Sequence, residues 1–175
     1  MGTLRLTLMR HGQAQAIDSC PEDFERSLTH RGNFEVREMA GRLMRRKWVP
    51  DLILASPAER TFASATILAG ICELEAKQVE LARELYLATA ETAWQVVMHR
   101  AQRFVHVLVC GHNPGLSEMA SRLGPTPQPR ELRTAGLATA VWRAPHGGWS
   151  ELLPEAAVRC DVDDPDTLAD LWEAG

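Results

Sequence analysis

Apolar positions along this chain change period several times, and the changes mark out alternating strands and helices. Leu4, Leu6 and Leu8 alternate with Thr3, Arg5 and Thr7, the two-residue period of a strand over Leu4 to Met9 with one face toward solvent. A polar loop follows over residues 13 to 29. Val36, Met39, Ala40, Leu43 and Met44 then recur at helical spacing, which predicts a helix over about residues 30 to 47. Asp51 to Ala55 reads as a second strand. In Ser56-Pro57-Ala58-Glu59 a serine, a proline and a glutamate stand as N-cap, first helical residue and third, a capping box that starts a second helix. Phe62, Ala65, Ala69 and Cys72 form its apolar stripe.

The alternation continues. Gln78 to Ala82 predicts a short third strand, and Ala93, Trp94, Val97, Met98 and Ala101 mark the core face of a helix near residues 90 to 103. Val105 to Cys110 is a short apolar run of the kind found in a fully buried central strand, interrupted by His106. Asn113-Pro114 reads as the cap of a helix carrying Leu116, Met119, Ala120 and Leu123. Gly124 to Arg133 is rich in proline and polar residues and reads as a loop. Leu137 to Arg143 and Trp149 to Leu153 are expected to pair as a hairpin that extends the sheet. Strands alternating with helices predict one domain over residues 1–175, a three-layer α/β/α sandwich with a mostly parallel central sheet. Ligands bind such sheets at the carboxyl ends of the strands.

Composition narrows the partners. With 175 residues and 45% hydrophobic content, the chain can bury a sizeable core. Its apolar runs fall far short of the roughly 20 residues of a membrane helix, and its start lacks the regions of a secretory signal, so a soluble cytoplasmic protein is expected. The net charge of −4 is unevenly placed: residues 151–175 hold eight acids and one base, while the body before them is slightly basic. A duplex nucleic-acid binder needs a concentrated basic face, so no nucleic-acid partner is expected, and the acidic tail reads as solvated surface. Cys20, Cys72, Cys110 and Cys160 are scattered and read as reduced thiols. Neither cysteine nor histidine clusters at ligand spacing, so no metal is expected. The five tryptophans form no periodic platform, and no nucleotide-binding glycine fingerprint is present, so no organic cofactor is expected.

The chemistry sits at the strand ends. Arg10 and His11 follow the first strand, Arg60 lies in the first turn of the helix after the second, and His112 follows the Val105 to Cys110 strand. Two arginines and two histidines there make an anion site that contains a possible nucleophile, with the helix amino ends at Ser56 and Asn113 adding backbone donors. The blocks MRHGQAQ, Leu28-Thr29 to Gly32, SPAERTFASA and VLVCGHNPGL, taken in this order over residues 4 to 123, resemble the histidine phosphatase superfamily. Within it they are closest to the SixA-like phosphohistidine phosphatase branch.

That resemblance implies a phosphoglycerate mutase-like fold and a metal-independent, two-step phosphoryl transfer. His11 would be the nucleophile, and Arg10, Arg60 and His112 would hold the equatorial oxygens. Glu84, after the third strand, is the candidate general acid, and Gln13, Arg26 and Asn113 are candidate substrate contacts. SixA-like sequences often carry an acidic residue at the position of Gln13, a departure that bears on substrate contacts. The implied substrate is protein phosphohistidine. A small phosphate ester is the alternative, and a phosphate-recognition module without turnover is the alternative from another class.

Overall fold

The computed structural model describes residues 2–144, 146 and 148–168. Its centre is a sheet of six strands: β1 (Thr3–Arg10), β2 (Leu52–Ala55), β3 (Val79–Leu81), β4 (His106–Gly111), β5 (Leu137–Arg143) and β6 (Arg159–Asp163). They lie in the order β3-β2-β4-β1-β5-β6. The first four in that order run parallel, β5 pairs antiparallel to β1, and β6 antiparallel to β5.

Four helices cover the faces: α1 (His30–Arg45), α2 (Glu59–Ile71), α3 (Ala90–Arg100) and α4 (Gly115–Arg122). One core joins Leu4, Leu6 and Leu8 of β1 to Val97 of α3 and to Met119 and Ala120 of α4. The other joins Met9, Ile53 and Leu108 to Val36, Met39 and Leu43 of α1 and to Ala65 and Leu68 of α2. The side chains of each central strand therefore divide between two apolar layers, which gives the expected α/β/α sandwich.

Several expectations need correction. β1 does not present one face to water: Thr7 is fully buried, because its hydroxyl bonds His106 Nε2 (2.9 Å) and Thr139 Oγ1 (3.0 Å). Arg5 lies with its guanidinium 4.9 Å from the centre of the Trp48 ring. The same network accounts for His106 in a buried strand, since its other ring nitrogen meets Val49 O at 3.1 Å.

Helix α1 stops at Arg45, with Lys47 at a positive φ of 57°, and Met44 and Phe62 are exposed rather than buried. Ser56 does not cap α2. Ala58 holds the N-cap position without a side-chain bond, and the Ser56 hydroxyl turns to His112 instead. Asn113 likewise does not cap α4, which begins after Pro114; its side chain bonds Ser117 Oγ and Leu132 O.

The expected strand at Trp149 to Leu153 is a single turn of 3-10 helix, Gly148–Glu151. Trp149 and Leu152 are both buried, and side chains three residues apart share one side of a turn but not of a strand. The partner of β5 is β6, drawn from the acidic tail that was expected to be solvated surface. Asp163 at its end pairs with Arg42 and Arg46. Residues 169–175 of that tail, Trp172 among them, lie outside the described residues.

Candidate active site

The carboxyl ends of β1, β2 and β4 lie side by side, and the turns leaving them build one pocket. β1 ends at Arg10, and His11-Gly12 lead out of it, held by His11 N donating to Gly111 O and Ala135 N donating to His11 O. Packing demands the glycine here. A Cβ on Gly12 would lie 2.5 Å from Gly32 O, and one on Gly32 would lie 2.0 Å from Gln13 O. The two glycines thus let the amino end of α1 press directly on the histidine turn.

His11 is buried, and its Nδ1 lies 2.8 Å from Gly12 O. A carbonyl can only accept, so Nδ1 carries the proton and Nε2 keeps its lone pair. Arg60 Nε donates to that Nε2 at 3.2 Å. Arg60 is itself almost fully buried, with Nη2 3.3 Å from His112 Nδ1. His112 is turned by Ser56, whose Oγ is 2.8 Å from its Nε2, and the two imidazole rings meet edge-on at 5.3 Å. Arg10 also lines the pocket, with Nη1 donating to Leu132 O (3.1 Å).

Burial is the main cause that pushes His11 down to about 4. The bond to Gly12 O opposes this, and the positive charges of Arg60, Arg10 and Arg26 add to the lowering. Burial, His11, Arg60 and Arg26 push His112 down to about 3 against the pull of Asp23. Both rings are therefore neutral at pH 7.

These residues, with Gln13, Arg26, Asn113 and Thr134, line a cavity of about 550 Å³. Gln13 accepts from Thr29 Oγ1 (2.8 Å), and Asn113 donates to Leu132 O (2.9 Å). Glu84 does not enter this cavity. It sits exposed in the turn before α3, paired with Arg100 at 2.8 Å, and it lines a separate hollow with His99 and Arg100. Its position after the third strand suggested the pocket, but the 3-10 turn Arg83–Leu85 sets it beside Arg100 of α3 instead.

Sequence reasoning missed Asp23. Its carboxylate accepts from Arg60 Nη2 (2.9 Å), Arg26 Nε (2.9 Å) and Tyr86 Oη (2.8 Å), while its backbone carbonyl takes Arg60 Nη1. Burial works against ionisation, but these bonds outweigh it and hold the carboxyl well below the usual carboxylate range. Tyr86 in turn lies edge-on to His112, with ring centres 5.5 Å apart. Nothing local marks Asp23: it stands among other acids in a polar loop, and only the fold brings it to Arg60.

The fold and pocket together define an α/β protein in which arginine donors converge on a neutral imidazole, an arrangement suited to an anion. The sequence model of the histidine phosphatase superfamily (branch 1) matches residues 6–108, so the chain belongs to that superfamily. His112 lies just beyond the matched residues, and the geometry joins it to them. A comparison with curated proteins returns no match.

Among solved structures, one from Nakamurella multipartitia, provisionally named phosphohistidine phosphatase SixA, is 22% identical. It superposes with a TM-score of 0.77 over 94% of this chain and 98% of that one. The protein histidine phosphatase SixA complexed with tungstate is 23% identical, with a TM-score of 0.75 over 94% and 99%. A mycobacterial glucosyl-3-phosphoglycerate phosphatase is 15% identical, with a TM-score of 0.59 over 93% and 98%. These similarities establish the shared fold.

Proposed function

We propose that this chain is a phosphatase that forms a covalent phosphohistidine on His11 and removes phosphate from protein phosphohistidine. In the first step the Nε2 lone pair of His11 attacks phosphorus while the bond from phosphorus to the substrate's imidazole nitrogen breaks. The substrate ring carries a proton on its other nitrogen, so it leaves with the bonding pair as neutral imidazole and needs no acid from the protein. In the second step water attacks the phosphoryl group, the bond to His11 Nε2 breaks, and inorganic phosphate is released. Arg10, Arg60 and His112 stabilise the charge on the equatorial oxygens, with Arg60 Nε moving from His11 Nε2 to a phosphoryl oxygen as the new bond forms.

The state of Asp23 carries the choice of substrate. It is the one carboxylate among the described residues lining the cavity, and Arg60, Arg26 and Tyr86 hold it ionised, so it has no proton to give. An alkoxide leaving from a phosphate ester needs a proton as it departs, whereas an imidazole leaves far more easily as a nitrogen base. A pocket without a proton-bearing carboxyl favours the phosphoramidate. The SixA neighbours support the same reading.

Acid quench after mixing with a labelled phosphohistidine protein tests this, together with a panel of sugar phosphates and nucleotides. Label should appear on His11 and vanish in His11→Ala, and kcat/KM should be highest for the phosphohistidine protein. Higher kcat/KM on the esters would make the protein a small-molecule phosphomonoesterase. Binding without label or turnover would make it a phosphate-recognition module.

A further inference from the structure

Beside the catalytic cavity lies a second one of about 550 Å³, and Arg10 and Thr134 line both. Arg31 and Arg133 stand on its walls, and each is hung from a segment that builds the histidine turn. Arg133 precedes the turn in which Ala135 N bonds His11 O, and Gly136 N bonds Arg133 O. Arg31 is held by Glu35 Oε1 (2.9 Å), while Glu35 Oε2 takes the backbone N–H of Gln13 (3.0 Å). Both arginines thus border the second cavity from segments that also shape the catalytic pocket.

The cavity already holds a carboxylate. Asp166, in the 3-10 turn Pro165–Leu168 that follows β6, reaches Arg133 Nη1 at 2.8 Å and Arg31 Nη2 at 3.7 Å. Two other acids border the space. Glu35 is occupied by Arg31 and Gln13, and Glu131 is exposed. The side chains of Arg31 and Arg133 are more than 60% exposed and that of Asp166 is 46% exposed. Such open ion pairs contribute little, so Asp166 is an exchangeable occupant.

We propose that this second cavity is an anion subsite of the substrate, taking a carboxylate or phosphate that flanks the transferred phosphoryl group, and that Asp166 fills it in the free protein. The subsite rests on the phosphatase reading, to which it adds a preference for doubly anionic substrates. Its ligand chemistry has two sources, an acidic side chain near the phosphohistidine or a second anionic group on a small molecule. On binding, the incoming anion takes the Arg133 and Arg31 donors and Asp166 turns to solvent, with no change in covalent bonding.

Matched pairs that differ only in the second anion test it: phosphohistidine peptides flanked by glutamate or by glutamine, and 3-phosphoglycerate against glycerol 3-phosphate. KM is measured for each, and Kd by calorimetry with the His11→Ala protein, which reads binding whether or not turnover occurs. The intact protein should favour the acidic member of at least one pair by several-fold. Asp166→Asn should widen that preference by up to about fivefold, the span of an exposed ion pair. Arg31→Ala combined with Arg133→Ala should lose more on the acidic member than on the neutral one. Preference in the peptide pair alone assigns an acidic protein segment; preference in the small pair alone assigns a small molecule. Equal binding within both pairs, in the intact protein and in Asp166→Asn, overturns the subsite. Preferential binding without turnover overturns the phosphatase reading and leaves the subsite standing.

Discussion

The protonation state of His11 offers the most direct test of the pocket's electrostatics. An ordinary imidazole with a pKa of about 6.5 is only about 3% unprotonated at pH 5, whereas one at about 4 is about 90% unprotonated. Acidification from pH 7 to pH 5 would thus deplete an ordinary unprotonated nucleophile about 25-fold and leave His11 almost untouched. The difference corresponds to about 3 kcal/mol in favour of the neutral ring. It arises first from burial, with the charges of Arg60, Arg10 and Arg26 adding to it.

NMR titration of the ring carbons, assigned with His11→Gln, measures this without interference from ionisation of the substrate phosphate. The free protein should show His11 neutral throughout pH 5 to 8 and titrating near 4. Saturation with inorganic phosphate should raise that value, because a dianion beside the ring favours its charged form and restores basicity where the nucleophile needs it. A titration at or above pH 6 in the free protein would refute the reasoning, since burial and the arginines would then not govern the ring.

Other outcomes follow from the same geometry. Asp23→Asn removes the charged anchor of Arg60 and a negative charge from the pocket, so kcat should fall about tenfold while inorganic phosphate binds more tightly. Steady-state kinetics with product inhibition checks both, and an unchanged kcat would count against the anchoring role. Glu84→Gln should leave hydrolysis of phosphoramidates and of esters alike, because its carboxylate meets Arg100 outside the cavity; a selective loss on esters would restore it as the acid. Gly32→Ala places a methyl against the Gln13 backbone and should cost at least about 1–3 kcal/mol in thermal or urea unfolding, with activity lost in parallel.

Much of the fold was legible because burial imposes a period. The helices over Val36 to Leu43 and Ala93 to Val97 and the buried strand ending at Cys110 all announce themselves by apolar spacing. β6 was not legible: Arg159, Asp161 and Asp163 give it a charged edge, and its register depends on pairing with β5 and on Arg42 and Arg46. The capping signals at Ser56 and Asn113 misled for a related reason. Each side chain has a tertiary partner, His112 for one and Leu132 O and Ser117 for the other, that wins over the local backbone.

The candidate site divides in the same way. Arg10, His11, Arg60 and His112 could be collected from sequence because each ends or directly follows a parallel strand or opens the helix after one, and parallel strands deliver their carboxyl ends to one edge. Asp23, Tyr86 and Ser56 belong to the pocket through hydrogen bonds that span 37, 63 and 56 residues. Glu84 stands outside it, beside an arginine 16 residues further along the chain. Local pattern determines which elements form and which residues their ends present. The partners that set charge, tautomer and proton supply are chosen only when distant loops pack together, because those interactions act over a few ångströms of space and carry no fixed separation along the chain.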